Sequence, residues 1–306
     1  MNNHKIQWKI DKKYEGMLVR EFLLKEKGIS KRALIDIKFY GGDILLNGGH
    51  VTVREVLRDG DCLEVMFPPE IRSDGIIGEN IPLHIAYEDE HILVINKPPF
   101  MASIPSREHQ SGTLAHALIY YYDQNALSST IHIVNRLDRD TSGLMIVAKN
   151  SFVHSLFALG QKKKSIQREY EAIVHGIIRE DVGIIDAPIG RKAESIIERE
   201  VRNDGQHAVT HYEVKKRLGD RTVVSLKLET GRTHQIRVHM SYIGHSLLGD
   251  DLYGGQRDLI SRQALHSKSI RFYHPLLERE FAFSVPLPAD MENLVYDGYE
   301  NENRES

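Results

Sequence analysis

Two stretches of this chain alternate polar and apolar residues with a period of two. Arg168 to His175 sets Tyr170, Ala172 and Val174 on one face, and Thr222 to Glu229 does the same with Val224, Leu226 and Leu228. That period buries one side of a strand and wets the other, a division that helical spacing does not produce. Two shorter strands are expected at His84 to Tyr87 and at His91 to Asn96; the second is apolar and stops at Lys97-Pro98-Pro99. Helical spacing intervenes after Gly112-Thr113, through Leu114, Ala115, Ala117, Leu118 and Tyr121. It returns over Ser151 to Lys163, along Phe152, Leu156 and Leu159, and closes on Lys162-Lys163-Lys164, where cations suit the helix dipole. No βαβ repeat organises these elements, so the pattern predicts an α+β fold on a mixed, largely antiparallel sheet.

A small module precedes it. Leu18, Phe22 and Leu23 recur at helical spacing up to Gly28; Ser30 then sits at an N-cap, before Lys31, Arg32, Leu34, Ile35 and Ile37. Short strands are expected at Asp43 to Leu46, Val51 to Val53 and Cys62 to Met66, around the turn Asn47-Gly48-Gly49. This pattern resembles the S4-like RNA-binding module, with Ile44-Leu45-Leu46-Asn47-Gly48 and Gly60-Asp61-Cys62-Leu63-Glu64-Val65 in the places of its motifs. The resemblance implies that Ser30, Lys31, Arg32 and Lys38 lie on an RNA-facing helix, where cations neutralise phosphates without reading sequence.

Charge is unevenly placed. The chain carries −3 overall, yet residues 1–40 hold ten Lys/Arg against five Asp/Glu. Residues 289–306 hold six acids against Arg304 alone, so removing that tail from the total leaves +2. A basic amino-terminal face suits a polyanionic partner, although a solvated helical face is the better account of charge alone. With 41% hydrophobic and 27% charged residues a soluble globular protein is expected. The single cysteine, Cys62, excludes an internal disulfide and a cysteine-rich metal site. No apolar run approaches the roughly 18 residues of a membrane span, and the first residues lack an apolar signal core, so a cytoplasmic location is expected.

Two segments carry the chemistry. Asn135-Arg136-Leu137-Asp138-Arg139-Asp140-Thr141-Ser142-Gly143 places Asp138 between two arginines in a polar turn, between apolar runs. Taken alone, a salt-bridged surface turn accounts for Asp138 better than a catalyst does. The second segment runs from Leu228 through Thr230-Gly231-Arg232-Thr233-His234-Gln235-Ile236-Arg237-Val238-His239. There Gly231 allows a sharp turn, Thr233 can cap a helix, and Arg237, one turn in, can project its guanidinium back toward the strand end. A fixed guanidinium is a fitting neighbour for a catalytic carboxylate.

Together these segments resemble the RluA-type pseudouridine synthases. Arg136-Leu137-Asp138-Arg139-Asp140-Thr141-Ser142-Gly143 matches the family signature. Arg168-Glu169-Tyr170-Glu171-Ala172-Ile173-Val174-His175-Gly176 matches its second motif, and Thr230 through His239 its third. Family-like sequence also stands at Val94-Ile95-Asn96-Lys97-Pro98, at Leu248-Gly249-Asp250 with Leu252-Tyr253-Gly254, and at Arg262-Gln263-Ala264-Leu265-His266. The match covers about residues 80–288, in order.

The resemblance implies that Asp138 breaks the N-glycosidic bond of a uridine, after which the uracil rotates and its C5 joins the ribose C1′. Tyr170 would pack on the uracil and help remove the C5 proton, although a core tyrosine on an alternating strand would look the same. Arg237 would pair with Asp138 and keep it ionised. Arg136 would enter the space left by the flipped base, and Arg139 and Arg232 complete the RNA-binding set on the catalytic domain. No cofactor or metal is implied: His234 and His239 are five apart, off the one-face spacing of a zinc pair, and no nucleotide-binding loop pattern is present.

The expected organisation is an S4-like RNA-binding domain at 1–68, a linker at 69–80, a catalytic domain at 81–288 and a flexible acidic tail at 289–306. The partner would be RNA, ribosomal RNA ahead of transfer RNA, with the enzyme a monomer away from membranes. The rival reading is a non-catalytic RNA-binding or chaperone protein that has kept the fold. One departure from the family stands out: its usual His before Arg-Leu-Asp is Asn135 here, which can hydrogen-bond but cannot titrate.

Overall fold

The computed structural model describes residues 4–72, 75–162 and 165–302. Lys163 and Lys164, expected at a helix end, lie outside the described residues. The amino-terminal part contains β1 (Lys5–Lys9), α1 (Val19–Glu21), α2 (Lys31–Phe39), β2 (Asp43–Leu46), β3 (Gly49–His50) and β4 (Cys62–Met66). Its four strands form an antiparallel sheet in the order β1-β4-β2-β3. Ile6, Ile44, Leu63 and Val65 of that sheet meet Val19, Phe22, Leu23, Leu34 and Ile37 in one buried cluster.

Local chemistry explains most of these boundaries. Ser30 caps α2 by accepting a hydrogen bond from the Ala33 amide at 3.1 Å. Asn47 and Gly48, both at positive φ, turn β2 into β3. The strand expected at Val51 to Val53 does not form. The carbonyls of Val53 and Glu55 instead accept from the amides of Arg20 and Val19, donors that the start of α1 leaves unpaired.

The larger part contains β5 (Ile85–Glu88), β6 (Ile92–Lys97), α3 (Leu114–Gln124), β7 (His132–Ile133), β8 (Ser142–Ala148), α4 (Ser151–Lys162), β9 (Ile166–His175) and β10 (Val182–Asp186). It continues with β11 (Ile189–Arg191), β12 (Arg199–Val201), β13 (Val209–Leu218), β14 (Arg221–Leu228), α5 (Gln235–Tyr242), β15 (Leu265–His274), β16 (Arg279–Ser284) and α6 (Ala289–Glu302). Its main sheet runs β10-β13-β14-β9-β15-β8-β6-β5; β16 also pairs with β15, and β7 with β8. The pairing of β15 with β8 is parallel, and the other pairings are antiparallel. The sheet is therefore mixed and largely antiparallel. Leu114, Leu118 and Tyr122 of α3 and Ile236 and Met240 of α5 share one core with Tyr170, Ala172, Val224 and Leu226. Val153 and Phe157 of α4 share another with Ile92, Val94, Leu144 and Ile146.

Glu70 and Arg72, in the stretch read as linker, are anchored to the larger part. Glu70 accepts from the Thr130 amide at 2.9 Å and the Ser151 amide at 2.7 Å, and Arg72 donates to the carbonyls of Ser129 and Leu127 and pairs with Asp123. Phe67 stacks on Phe152 at 4.8 Å between ring centroids.

Ala289–Glu302, within the stretch expected to be a flexible acidic tail, is helical. This is α6, with Met291 and Leu294 buried beside Ile173 and Leu248. Asp290 is held by the buried Arg262 through two hydrogen bonds of 2.7 and 2.9 Å. Read as net charge, Asp290 looks solvated; an internal guanidinium supplies the partner that composition does not reveal.

Candidate active site

Register brings the two sequence-distant segments together. His266 of β15 lies opposite Ser142 of β8, and Ser267 lies opposite Tyr170 of β9. The start of β8, which carries the Asp138 turn, thus sits one strand away from Tyr170. The approach is close at Gly143, where a Cβ would stand 2.3 Å from the Ser267 carbonyl oxygen, so only glycine fits there. Leu226 of β14 pairs with Tyr170 from the other side, and β14 leads directly to the Arg232 turn and α5.

The Asp138 turn is held by its backbone. Ser103 donates to the Leu137 carbonyl at 2.9 Å. Lys97, fully buried, donates from one Nζ to the carbonyls of Pro98, Met101 and Arg139 at 2.8 to 2.9 Å. Burial pushes this ammonium down to about 7, against the charges of Asp140 and Asp138. Arg262 donates to the Asp140 carbonyl at 3.1 Å, and Gln263 to the Thr141 hydroxyl at 3.2 Å. These anchors fix the turn and leave the Asp138 side chain 31% exposed to the cleft. Asn135 is buried and accepts from the Ile146 amide at 2.8 Å, tying the turn to β8. In this chain Asn135 therefore acts on backbone.

Arg237 reaches Asp138 from α5, Nη1 to Oδ2 at 3.5 Å. Its stronger attachment is to Asp250, which accepts from Nε and Nη2 at 2.7 Å each. Burial works against the Arg237 charge; the hydrogen bonds and charge of Asp250, with the charge of Asp138, outweigh it and hold the guanidinium firmly protonated. Tyr253 lies beneath, its ring centroid 4.9 Å from the guanidinium carbon.

His234 completes the group, with Nε2 3.9 Å from Asp138 Oδ2 and Nδ1 2.8 Å from the Tyr253 hydroxyl. The Tyr253 oxygen accepts from the Arg199 amide at 2.9 Å, so its own hydrogen is available to Nδ1. A neutral His234 then keeps its proton on Nε2, facing Asp138. Burial pushes this imidazole down, opposed by Asp138 and reinforced by Arg237. The α5 boundary differs from expectation here. Its N-cap is His234 at φ 57, with no side-chain cap, rather than Thr233. The left-handed turn sits on the histidine, and that turn aims the ring at the cleft.

Asp138, Tyr170 and Arg237 all line one cleft of about 1550 Å³, together with Arg136, Arg139 and Arg232. Arg136 is exposed, Arg139 pairs with Asp140, and Arg232 donates to the His207 carbonyl. The cleft wall also holds Arg168, Lys227 and Arg271, which sequence reasoning did not single out. Seven Lys/Arg thus face three acids, Asp138, Glu169 and Glu229, on a chain of net charge −3. A wall of that sign in a concave site attracts a polyanion. Ser30, Lys31, Arg32 and Lys38 do not line the cleft; they belong to α2 and its cap. Among the described residues no group of three or more His, Cys, Asp or Glu could hold a metal ion. No helix there is long and apolar enough to cross a membrane.

Asp250 was missed as a site residue, although Leu248-Gly249-Asp250 stood out as family-like sequence. Gly249, at φ +72, would place a Cβ 2.0 Å from the Arg262 carbonyl oxygen, so this segment threads a passage too tight for a side chain before presenting Asp250 to Arg237.

Residues 91–242 match the family model described as RNA pseudouridylate synthase, a span holding Asp138, Tyr170 and Arg237. The chain is similar to the Bacillus subtilis (strain 168) protein named uncharacterized RNA pseudouridine synthase YjbO. The two are 55% identical over 279 residues, covering 91% of this chain and 98% of that one. It is also similar to the ribosomal large subunit pseudouridine synthase D of Pseudomonas aeruginosa, 40% identical over 263 residues, covering 81% of this chain and 82% of that one. Among solved structures it resembles human RNA pseudouridylate synthase domain containing 1, with a TM-score of 0.57 and 26% identity, covering 72% of this chain and 96% of that one.

Proposed function

The chain belongs to the RluA-type pseudouridine synthases and is an RNA pseudouridine synthase, and from that premise we propose that Asp138 is its catalytic carboxylate and ribosomal RNA its substrate. The observation that carries the first part is the setting of Asp138: a carboxylate on a clamped backbone, open to a basic cleft, with the Arg237 guanidinium 3.5 Å away.

The chemistry follows from that setting. The uridine leaves its helix and enters the cleft, because a stacked base cannot present its glycosidic bond to a side chain. Asp138 drives cleavage of the C1′–N1 bond. The uracil turns in place, C5 bonds to C1′, and the C5 hydrogen departs. Tyr170, buried in the sheet but bordering the cleft, supplies a flat aromatic floor for the turning ring. Arg237 keeps a positive charge beside Asp138 while RNA phosphates crowd the site. Arg136, exposed on the cleft wall, fills the space of the flipped base. Arg139 and Arg232 hold the strand on either side.

Ribosomal RNA is favoured by the likeness to a synthase named for the ribosomal large subunit. The 1–68 module serves as a second RNA contact through Ser30, Lys31, Arg32 and Lys38. The test is site-resolved pseudouridine mapping of total RNA from cells with and without this chain. Loss of pseudouridine at a ribosomal position supports the proposal; loss confined to transfer RNA overturns the substrate assignment.

A further inference from the structure

The outer face of α2 combines features that a solvated helix does not need. Lys31 and Arg32 occupy its first turn, and no acid stands there. The positive end of the helix dipole disfavours cations at that place. The helix therefore carries these charges against its own stability. Lys31, Arg32 and Lys38 are exposed and form no ion pair among the described residues, whereas Lys5, Lys13 and Lys25 of the same module pair with Glu64, Asp11 and Glu21. The one acid of the helix, Asp36, is half-buried.

Large apolar groups share this face. Ile35 is 50% exposed, Phe39 68% and Tyr40 69%. Ile35 and Phe39 are four apart, so they form one stripe beside Arg32 and Lys38. The Lys38 ammonium stands 4.7 Å from the Phe39 ring centroid, so a cation and an aromatic face lie side by side. The inward residues of α2, Leu34 and Ile37, already fill the module's core, which leaves these rings no internal role.

We propose that Phe39 and Tyr40 form a stacking platform for unpaired nucleobases of the RNA substrate, with Lys31, Arg32 and Lys38 holding the adjoining phosphates. This rests on the reading of the chain as an RNA-modifying enzyme and adds the form of RNA that this face selects. Cations alone would bind duplex and single strand alike. Exposed rings add energy only where bases are free to stack, and any base will serve.

The test uses the full chain and two labelled RNAs of equal length, one single-stranded and one duplex, titrated over a range of salt. The double variant Phe39→Ala/Tyr40→Ala is expected to lose on the order of tenfold or more in affinity for the single strand, with little change for the duplex and the same salt slope. Phe39→Trp/Tyr40→Trp is expected to restore single-strand binding. Lys31→Gln/Arg32→Gln/Lys38→Gln is expected to weaken both RNAs and flatten the salt dependence by roughly two units of slope. Equal losses on duplex and single strand from the alanine variant, or no loss on either, overturn the proposal. Binding is read without turnover, so a failure of the Asp138 assignment would leave this outcome distinct.

Discussion

Asp250 takes two hydrogen bonds of 2.7 Å from Arg237, one on each carboxylate oxygen. The guanidinium reaches Asp138 only with its remaining nitrogen, at 3.5 Å. The pair therefore has a fixed half and an open half. Asp250 sets where the positive charge stands, and Asp138, partly exposed, is left with capacity to act on a substrate.

Asp138→Asn is expected to abolish pseudouridine formation while RNA affinity stays within a few-fold of the parent. Release of the C5 hydrogen from labelled RNA measures the first and equilibrium binding the second. Normal turnover by this variant would remove Asp138 from the chemistry.

Asp250→Ala strands a buried guanidinium, and Arg237→Ala strands a carboxylate that is itself fully buried. Each is expected to cost about 3–5 kcal/mol of stability, because the surviving charge loses its partner. The double variant Asp250→Ala/Arg237→Met, which removes both charges, should be less destabilised than the two single costs added together. Denaturant unfolding of the three proteins checks this; simple additivity would show that the pair is not coupled. Arg237→Lys keeps a charge but not the fork, and turnover is expected to fall at least tenfold with a smaller loss of stability.

Lys97→Met removes the donor shared by three carbonyls around the Asp138 turn. Each orphaned buried carbonyl costs about 1–3 kcal/mol where no water replaces the lysine. Turnover should fall with kcal-scale loss of stability, and RNA affinity should change little, because Lys97 is not on the cleft wall. A fall in affinity matching the fall in turnover would argue that the turn itself is not what Lys97 holds.

Truncation after Pro288 removes Asp290 together with Met291 and Leu294. Arg262 then loses both oxygens of its partner, although it still donates to the Asp140 carbonyl. Lower thermal stability and reduced turnover are expected, with Asp290→Asn intermediate. A truncated enzyme of unchanged stability would mean that α6 is dispensable.

Acid should unfold this protein early. Burial pushes His4 and His266 down to about 4 and lowers His91, His154, His234 and His239 as well. The unfolded chain takes up these protons near pH 6.5 and the folded chain does not, so stability is present above that pH and is lost as pH falls toward 4. Glu70 and Asp89 act in the same direction at lower pH. Burial opposes their charge, but a hydrogen bond between His132 and Glu70, the His274 imidazole 3.3 Å from Asp89, and backbone amides hold both carboxylates below their ordinary range. Melting temperature followed from pH 7.5 to 4.5 should decline through this window; a flat profile would contradict the burial of these imidazoles.

The strands at Arg168 to His175 and Thr222 to Glu229 were legible because the period of two is written in consecutive residues. Asp138, Tyr170 and Arg237 were legible because each lies in a dense local motif. Their meeting was not. It depends on β15 inserting between β9 and β8, and on the parallel register that sets His266 against Ser142, a pairing across 124 positions. Asp250 and Asp290 were hidden for the same reason. A carboxylate's neighbours along the chain do not say which guanidinium will be buried beside it, and each of these acids reads as solvated until folding brings Arg237 or Arg262 to it. Local pattern along the chain was enough to place the main alternating strands and to pick out the side chains that can do the chemistry, though not every element's bounds. The tertiary structure alone decided which charges became paired, because desolvation and partner distance arise only once the sheet has closed.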